Sequence, residues 1–330
     1  PRFPYTTLLR SRGTGILDRV GQILFPIESH QPDNLNRSGR DPGHLARCEL
    51  PVRIVTDSTC DLPAETIARY GICVVPLYIN VGNQGFLDGI DMKRDEFYTR
   101  LPTFSTHPTT AVPSPQKFRA IYDMLADEGA SEILSIHISI SLSATVDVAR
   151  TAAQETSSTP VTVFDSQQLS LGTGFLVETA AKMAASGSSV AEILAALNDQ
   201  TQRSYVFAAL DTLEFLKRSG RMNKYMAGFA TLLQIKPILT MHNGKPGTER
   251  VRTRDRAIKR LVELLSALGP LERVAIVHTH ALPERIAELG TLAAGLLPQG
   301  DILTEDITPV IGAHIGPGTV GFAAVAASKQ

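Results

Sequence analysis

The chain has 330 residues, 43% of them apolar, and its 32 Lys and Arg nearly cancel its 33 Asp and Glu to leave a formal charge of -1. That balance argues against a nucleic-acid partner, which needs a basic excess, and no apolar run reaches the roughly 18 residues of a membrane helix. Three cysteines, Cys48, Cys60 and Cys73, are odd in number and lack CxxC spacing, which fits a reducing cytoplasm better than a disulfide framework or a thiolate metal site.

Residues 1–50 mix Arg, Pro, Asn, Gly and Asp around one amphipathic patch, GILDRVGQILF. So little apolar surface does not offset the ordering entropy, and the segment reads as a disordered leader, with a docking helix from Ile16 to Phe25 as the alternative. At Val52 the texture changes. VRIVTDS reads as a buried strand ending in a turn, ICVVPLYIN as a second β-branched run, and DMKRDEFYTRL as a charged helix with an Asp start. SPQKFRAIYDMLADEGA spaces its apolar residues as a helix does, with Ser114 as cap, Pro115 at the first position and Gly129 as the stop. Then ILSIHIS reads as a strand, TVDVARTAAQE as a helix, VTVFDS as a strand and GTGFLVETAAKMAASG as a helix. Strands alternating with helices imply a parallel doubly wound sheet over residues 51–165.

Beyond Asp165, helices are expected at VAEILAALNDQTQR and AIKRLVELLSAL, and strands around SYVFAAL, KPILTM, RVAIVHTH and DILTEDITP, before a final GPGTVGFAAVAA. This reads as a second α/β domain over residues 166–330 with more mixed connections. A cleft between the two domains is the expected ligand site.

Where a parallel strand meets a helix, unpaired backbone N–H groups and the helix dipole favour an anion, and ILSIHISISLSATVDVARTAAQ crowds Ser135, Ser139, Ser141 and Ser143 before such a helix. Helix capping accounts for one serine. A second hydroxyl-rich loop, HPTTAVPSP, leaves Thr109 and Thr110 without a capping duty, and they read either as surface turn residues or as partners of the serine turn. His314, ahead of Gly316, Pro317 and Gly318, offers an imidazole beside a backbone open to close approach. His278 and His280 lie two apart on a strand, but with no third ligand they carry no metal assignment. LKRSGRMNK and ERVRTRDRAIKR cluster Arg218, Arg221, Lys224, Arg252 and their neighbours, as a solvated face or as a surface for an acidic partner. Ser143 lies in no GxSxG, and neither a Walker loop nor GxGxxG is present.

Taken together and in order, VTDSTCDLP, TTAVPSP, SISLSAT, VFDSQQLSLGTG, LKRSGRM, RVRTRDRAI and GAHIGPG resemble the DegV family of bacterial fatty acid-binding proteins, from about Val52 to the C-terminus. The resemblance implies two α/β domains with a long-chain fatty acid in an apolar tunnel between them, and no catalytic residues or cofactor of the chain's own. The family's Thr in Thr-Ser-Gln-Pro falls on Thr110, its Ser in Leu-Ser-Gly-Thr on Ser143, and its His before Gly-Pro-Gly on His314. These are the implied carboxylate ligands. Members present the carboxylate to an ATP-dependent fatty acid kinase that makes acyl-phosphate for phospholipid synthesis, which makes Arg218, Arg221 and Arg252 candidates for partner docking or phosphate handling. Ala111 and Val112 replace the family's Ser and Gln, and Ala144 its Gly, which questions how closely the backbone there meets a carboxylate. Two other functions stay open: a phosphoryl- or acyl-transfer enzyme using Ser143 and His314 directly, and a lipid sensor that binds a regulatory protein through its basic turns.

Overall fold

The computed structural model describes residues 51–222, 236–298 and 302–328. The leader, its docking helix and Lys224 lie outside the described residues. In chain order the elements are β1 (Val52–Asp57), α1 (Ala64–Arg69), β2 (Cys73–Val75), β3 (Tyr78–Val81), β4 (Gln84–Leu87), α2 (Arg94–Arg100), β5 (Thr109–Ala111), α3 (Pro115–Asp127), β6 (Glu132–His137), α4 (Thr145–Glu155) and β7 (Val161–Asp165). They continue with α5 (Leu171–Ala185), α6 (Val190–Arg203), β8 (Ser204–Ala209), α7 (Glu214–Arg218), β9 (Lys236–His242), β10 (Lys245–Val251), α8 (Arg254–Ser266), β11 (Leu271–His278), α9 (Pro283–Ala293), β12 (Leu303–Asp306), α10 (Pro309–Ile315) and β13 (Val320–Ala326).

The described strands form three sheets, and the fold is a two-domain α/β architecture. The parallel sheet has the order β2-β1-β6-β7, as the strand-helix alternation predicts. The mixed sheet has the order β10-β9-β8-β13-β11-β12, antiparallel except for β11 with β12. A small antiparallel sheet, β4-β3-β5, escapes the sequence reading for a local reason. ICVVPLYIN reads as one run, yet Pro76 has no N–H to donate and interrupts the pairing. Its first half joins the parallel sheet as β2 and its second half becomes β3 of the small one. HPTT supplies β5, whose Thr110 pairs with Ile79. The charged helix begins at Arg94 with Lys93 at its cap, while Asp91, the expected start, accepts from the Leu87 N–H at 3.0 Å.

The described residues of the two domains pack into one compact unit. Its largest apolar cluster takes side chains from both larger sheets, Ile54 and Leu134 from one and Val206, Ala275 and Ala323 from the other, with α5 among them. Leu171, Phe175 and Leu176 of α5 are buried, each contributing about 1.5–3 kcal/mol before entropy is counted. Gly174 makes this approach possible, because a Cβ there would collide with the carbonyl oxygen of Cys60. Cys60 and Cys73 are buried free thiols, and burial pushes the ionisation of both up to about 12, so neither is a ready nucleophile. Among the described residues no helix is long and apolar enough to cross a membrane.

Candidate functional site

At the end of β6 the chain turns through Ile138–Ala144 into α4, and three outside groups hold this serine turn. Asp57 Oδ2 accepts from the Ile138 N–H at 3.2 Å, the Gln168 carbonyl accepts from the Ser139 N–H at 2.8 Å, and Asp165 Oδ1 accepts from the Ile140 N–H at 3.3 Å. VTDS and VFDSQQ thus serve the turn from two neighbouring strands. Within it, Ser139 and Ser141 hydroxyls pair at 2.9 Å, and Ser143 Oγ pairs with Thr145 Oγ1 at 2.8 Å while accepting from the Thr145 N–H at 3.3 Å. Ser143 thus precedes the N-cap, Ala144, and closes a local side-chain turn at the helix entry. Ala144 has φ −79°, outside the left-handed region, so its side chain is no burden to the backbone there.

Ser135 belongs to a different arrangement. Its hydroxyl bonds His137 Nε2 at 2.7 Å and the Tyr122 hydroxyl at 2.9 Å, and His137 Nδ1 donates to Asp57 Oδ2 at 2.9 Å. The order Ser-His-Asp is that of a hydrolase triad, but Ser135, His137 and Asp57 are wholly buried, and none of them lines the cavity described below. The line instead clamps β6 to β1. Burial alone would raise the Asp57 carboxyl, but His137 and the Thr59 side chain and N–H outweigh it and take it below the usual carboxylate range. Thr59, which donates both its hydroxyl and its N–H to Asp57, then faces the cavity.

Asp61 anchors the opposite wall. Its backbone sits in the left-handed region at φ 53°, which Asp tolerates better than most residues. Its carboxylate accepts from the Thr308 N–H at 2.8 Å, Arg94 Nη2 at 3.1 Å and the Ser170 hydroxyl at 2.6 Å. This joins the starts of α5 and α10 to the β1 turn. Burial pushes the Asp61 carboxyl up to about 7 despite Arg94, and the neighbouring Asp88 up to about 6. Helix α10 carries His314 in its last turn and ends at Gly316, whose φ is 77°. A Cβ on Gly316 would run into the Phe215 ring, and one on Gly318 would meet Asp211, so the GPG glycines make room for protein side chains.

These elements enclose a cavity of about 340 Å³, within the size range of small-molecule sites. Thr110, Ser143 and His314, separated by up to 204 positions, all line it, and Thr110 Oγ1 is hydrogen-bonded to His314 Nε2 at 2.9 Å. Most of the remaining wall is aliphatic, including Leu77, Val112, Leu142, Leu169, Ile311 and Ile315, together with Ala111 and Ala144. A smaller hollow of about 30 Å³ shares Leu169, Ile311 and Ile315 with it and extends to Ala208, Met241 and Val277 of the mixed sheet. Of the three arginines, Arg221 lines the cavity and donates to the Ser219 carbonyl at 2.8 Å. Arg218 is exposed and paired with Glu214 at 2.7 Å, and Arg252 is exposed outside the cavity wall. Sequence reasoning missed Asp57 and Asp61 as organisers of the site. The signal was VTDSTCD itself, two acids four apart at a strand end.

The family model described as "Uncharacterised protein, DegV family" matches residues 51–327. The chain belongs to the DegV family. It is 35% identical to a DegV domain-containing protein of Streptomyces coelicolor, over 82% of this chain and 96% of that one, and 36% identical to one of Deinococcus radiodurans, over 83% and 98%. Among solved structures, it is similar to a fatty acid-binding DegV family protein from Thermus thermophilus, with TM-score 0.75, 36% identity and coverage of 84% and 99%. It is also similar to DegV of Bacillus subtilis, a fatty acid binding protein, with TM-score 0.76, 28% identity and the same coverage. The three hydroxyl and imidazole residues thus lie in a DegV fold, and those two solved relatives are fatty acid-binding proteins.

Proposed function

We propose that this DegV protein binds a long-chain fatty acid in the 340 Å³ cavity and presents its carboxylate to a fatty acid kinase for acyl-phosphate formation. The observation that carries the reading is the convergence of Thr110, Ser143 and His314 on one cavity whose wall is otherwise mostly aliphatic. The two halves that hold the ligand are residues 51–165 and 166–330. An ionised carboxylate is costly in apolar surroundings unless donors meet it, and two hydroxyls, an imidazole and the first-turn N–H groups of α4 supply them. The tail passes Leu169, Ile311 and Ile315 towards the hollow against the mixed sheet. About 15 methylenes at ~0.8 kcal/mol each offer about 12 kcal/mol before association costs, so the tail supplies affinity and the head supplies orientation. Arg221, at the cavity wall, is the arginine best placed for phosphate handling. Arg218 and Arg252, exposed, are assigned to partner docking, and the protein works without a catalytic residue or cofactor of its own in the cytoplasm.

Mass spectrometry of the denatured, solvent-extracted protein tests the first step. One equivalent of a long-chain fatty acid is the expected result, and a protein that is empty and takes up neither oleate nor palmitate overturns it. For the second step, acyl-phosphate should form only when the loaded chain is mixed with ATP and a fatty acid kinase. Turnover by the chain alone would assign the chemistry to Ser143 and His314 instead.

A further inference from the structure

The histidine pair His278 and His280 plays no part in the fatty acid reading, and in sequence it lacks a third ligand. The fold supplies one. Strands β11 and β12 run parallel and end together, with His278 in register with Asp306. The turn after β11 places His280 over the same carboxylate, and α2 brings Asp95 from the other side of the chain. One donor atom from each of Asp95, His280 and Asp306 lies within 4.8 Å of the other two.

Three details make this more than a cluster of surface charge. His280 Nδ1 is 3.6 Å from Asp306 Oδ2 and His278 Nδ1 is 3.3 Å from Asp306 Oδ1, and His278 Nδ1 is buried without a hydrogen-bond partner. Two donors on a tetrahedral ion with bonds of about 2.0–2.1 Å stand about 3.3–3.4 Å apart, so the 3.6 Å between His280 Nδ1 and Asp306 Oδ2 is close to that of two atoms facing a shared cation. His280 is also held in place. Its backbone takes a φ of 48°, its N–H donates to Asp306 Oδ1 at 2.7 Å, and its ring stacks on Tyr98 at 5.7 Å between centroids. The neighbouring cation is turned to other acceptors. The Arg94 guanidinium is bound to Asp61 at 3.1 Å, lies near Glu305 at 3.6 Å, and donates to the Asp306 carbonyl.

We propose that Asp95, His280 and Asp306 bind a divalent transition-metal ion of the zinc class, with His278 beside the second oxygen of Asp306. Mixed imidazole and carboxylate donors select such an ion over Mg²⁺ or Ca²⁺, which take all-oxygen shells. Bound there, the ion ties α2 to the ends of β11 and β12, two residues ahead of the Thr308 cap of α10, the helix that carries His314.

Isothermal titration of the full chain, first stripped with chelator, with Zn²⁺ in the presence of excess Mg²⁺ tests this. One equivalent should bind at micromolar or lower concentration and raise the melting temperature, and Co²⁺ should give visible d–d absorption. His280→Asn, which tolerates the left-handed backbone, and Asp95→Asn, at an exposed helix position, should each weaken Zn²⁺ at least tenfold. If His280→Asn does not fold, Asp95→Asn decides alone. His44→Ala with Cys48→Ala should leave binding unchanged. No binding at micromolar concentration, binding that survives Asp95→Asn, or binding lost with His44 and Cys48 overturns the site.

Discussion

Replacing the two hydroxyls at the cavity head, Thr110→Val with Ser143→Ala, separates orientation from affinity. Val keeps the β-branched shape that β5 presents opposite Ile79, and Ala at position 143 removes only Oγ. A hydrogen bond to a charged group contributes about 1.5–3 kcal/mol, so losing two weakens fatty acid binding by about 3–6 kcal/mol, or roughly two to four decades in Kd. The tail contribution of about 12 kcal/mol is untouched. The lower end of the range is expected, because Thr110 Oγ1 engages His314 Nε2 at 2.9 Å and part of its hydrogen-bonding capacity is already committed to the imidazole. A cycle with His314→Ala should therefore show coupling between positions 110 and 314. Ser143 also accepts from the Thr145 N–H, so the ligand-free variant should lose about 0.5–1.5 kcal/mol of stability as a separate effect of that lost hydrogen bond. Displacement of a fluorescent fatty acid gives Kd, and thermal melting of stripped protein gives the stability cost. A folded double variant whose Kd stays within about threefold of the parent, where roughly a hundredfold is expected, refutes the head-group assignment.

Ala208→Leu fills the 30 Å³ hollow and should select by chain length: stearate loses about two buried methylenes at ~0.8 kcal/mol each, roughly tenfold, while myristate binds as before. Equal losses for both acids would show that the tail does not reach the mixed sheet. Gly316→Ala forces a side chain into the left-handed region and against Phe215, and urea unfolding should register a loss of at least about 2 kcal/mol. Because burial raises the carboxyls of Asp61 to about 7 and Asp88 to about 6, the folded state holds protons that the unfolded chain releases above about pH 4. Their contribution to stability is therefore full below that pH and falls as pH rises through 6 to 7. Asp57, lowered by His137 after burial is outweighed, acts in the opposite sense below that window. Melting temperatures from mildly acidic to mildly basic pH should drop less steeply in Asp61→Asn, and an unchanged slope would remove Asp61 from the account.

The parallel sheet and its helices were legible because both signals are local: buried β-branched runs such as VRIV and VTVF, and helical spacing in the segments that became α3, α4 and α6. The small sheet was not. Its strands are only three or four residues long, and Pro76 hides a strand break inside one apolar run. The serine turn announced an anion site by its hydroxyl density. Yet the groups that hold it, Asp57, Asp165 and Gln168, act across strands, and nothing in their spacing says which N–H each will accept or bind.

The order of strands and helices, the hydroxyl-rich turns and the glycine-bounded His314 are properties of the chain itself, since propensity, periodicity and capping operate over a few residues. The tertiary structure decided which of those residues meet. Thr110 and His314, 204 positions apart, came within hydrogen-bonding distance. Ser135 was taken into the core while Ser143 was left at the cavity, and Asp95 was set beside His280. Such choices follow from sheet register and from helices packing across the parallel and mixed sheets, which depend on every contact at once and are written in no single segment.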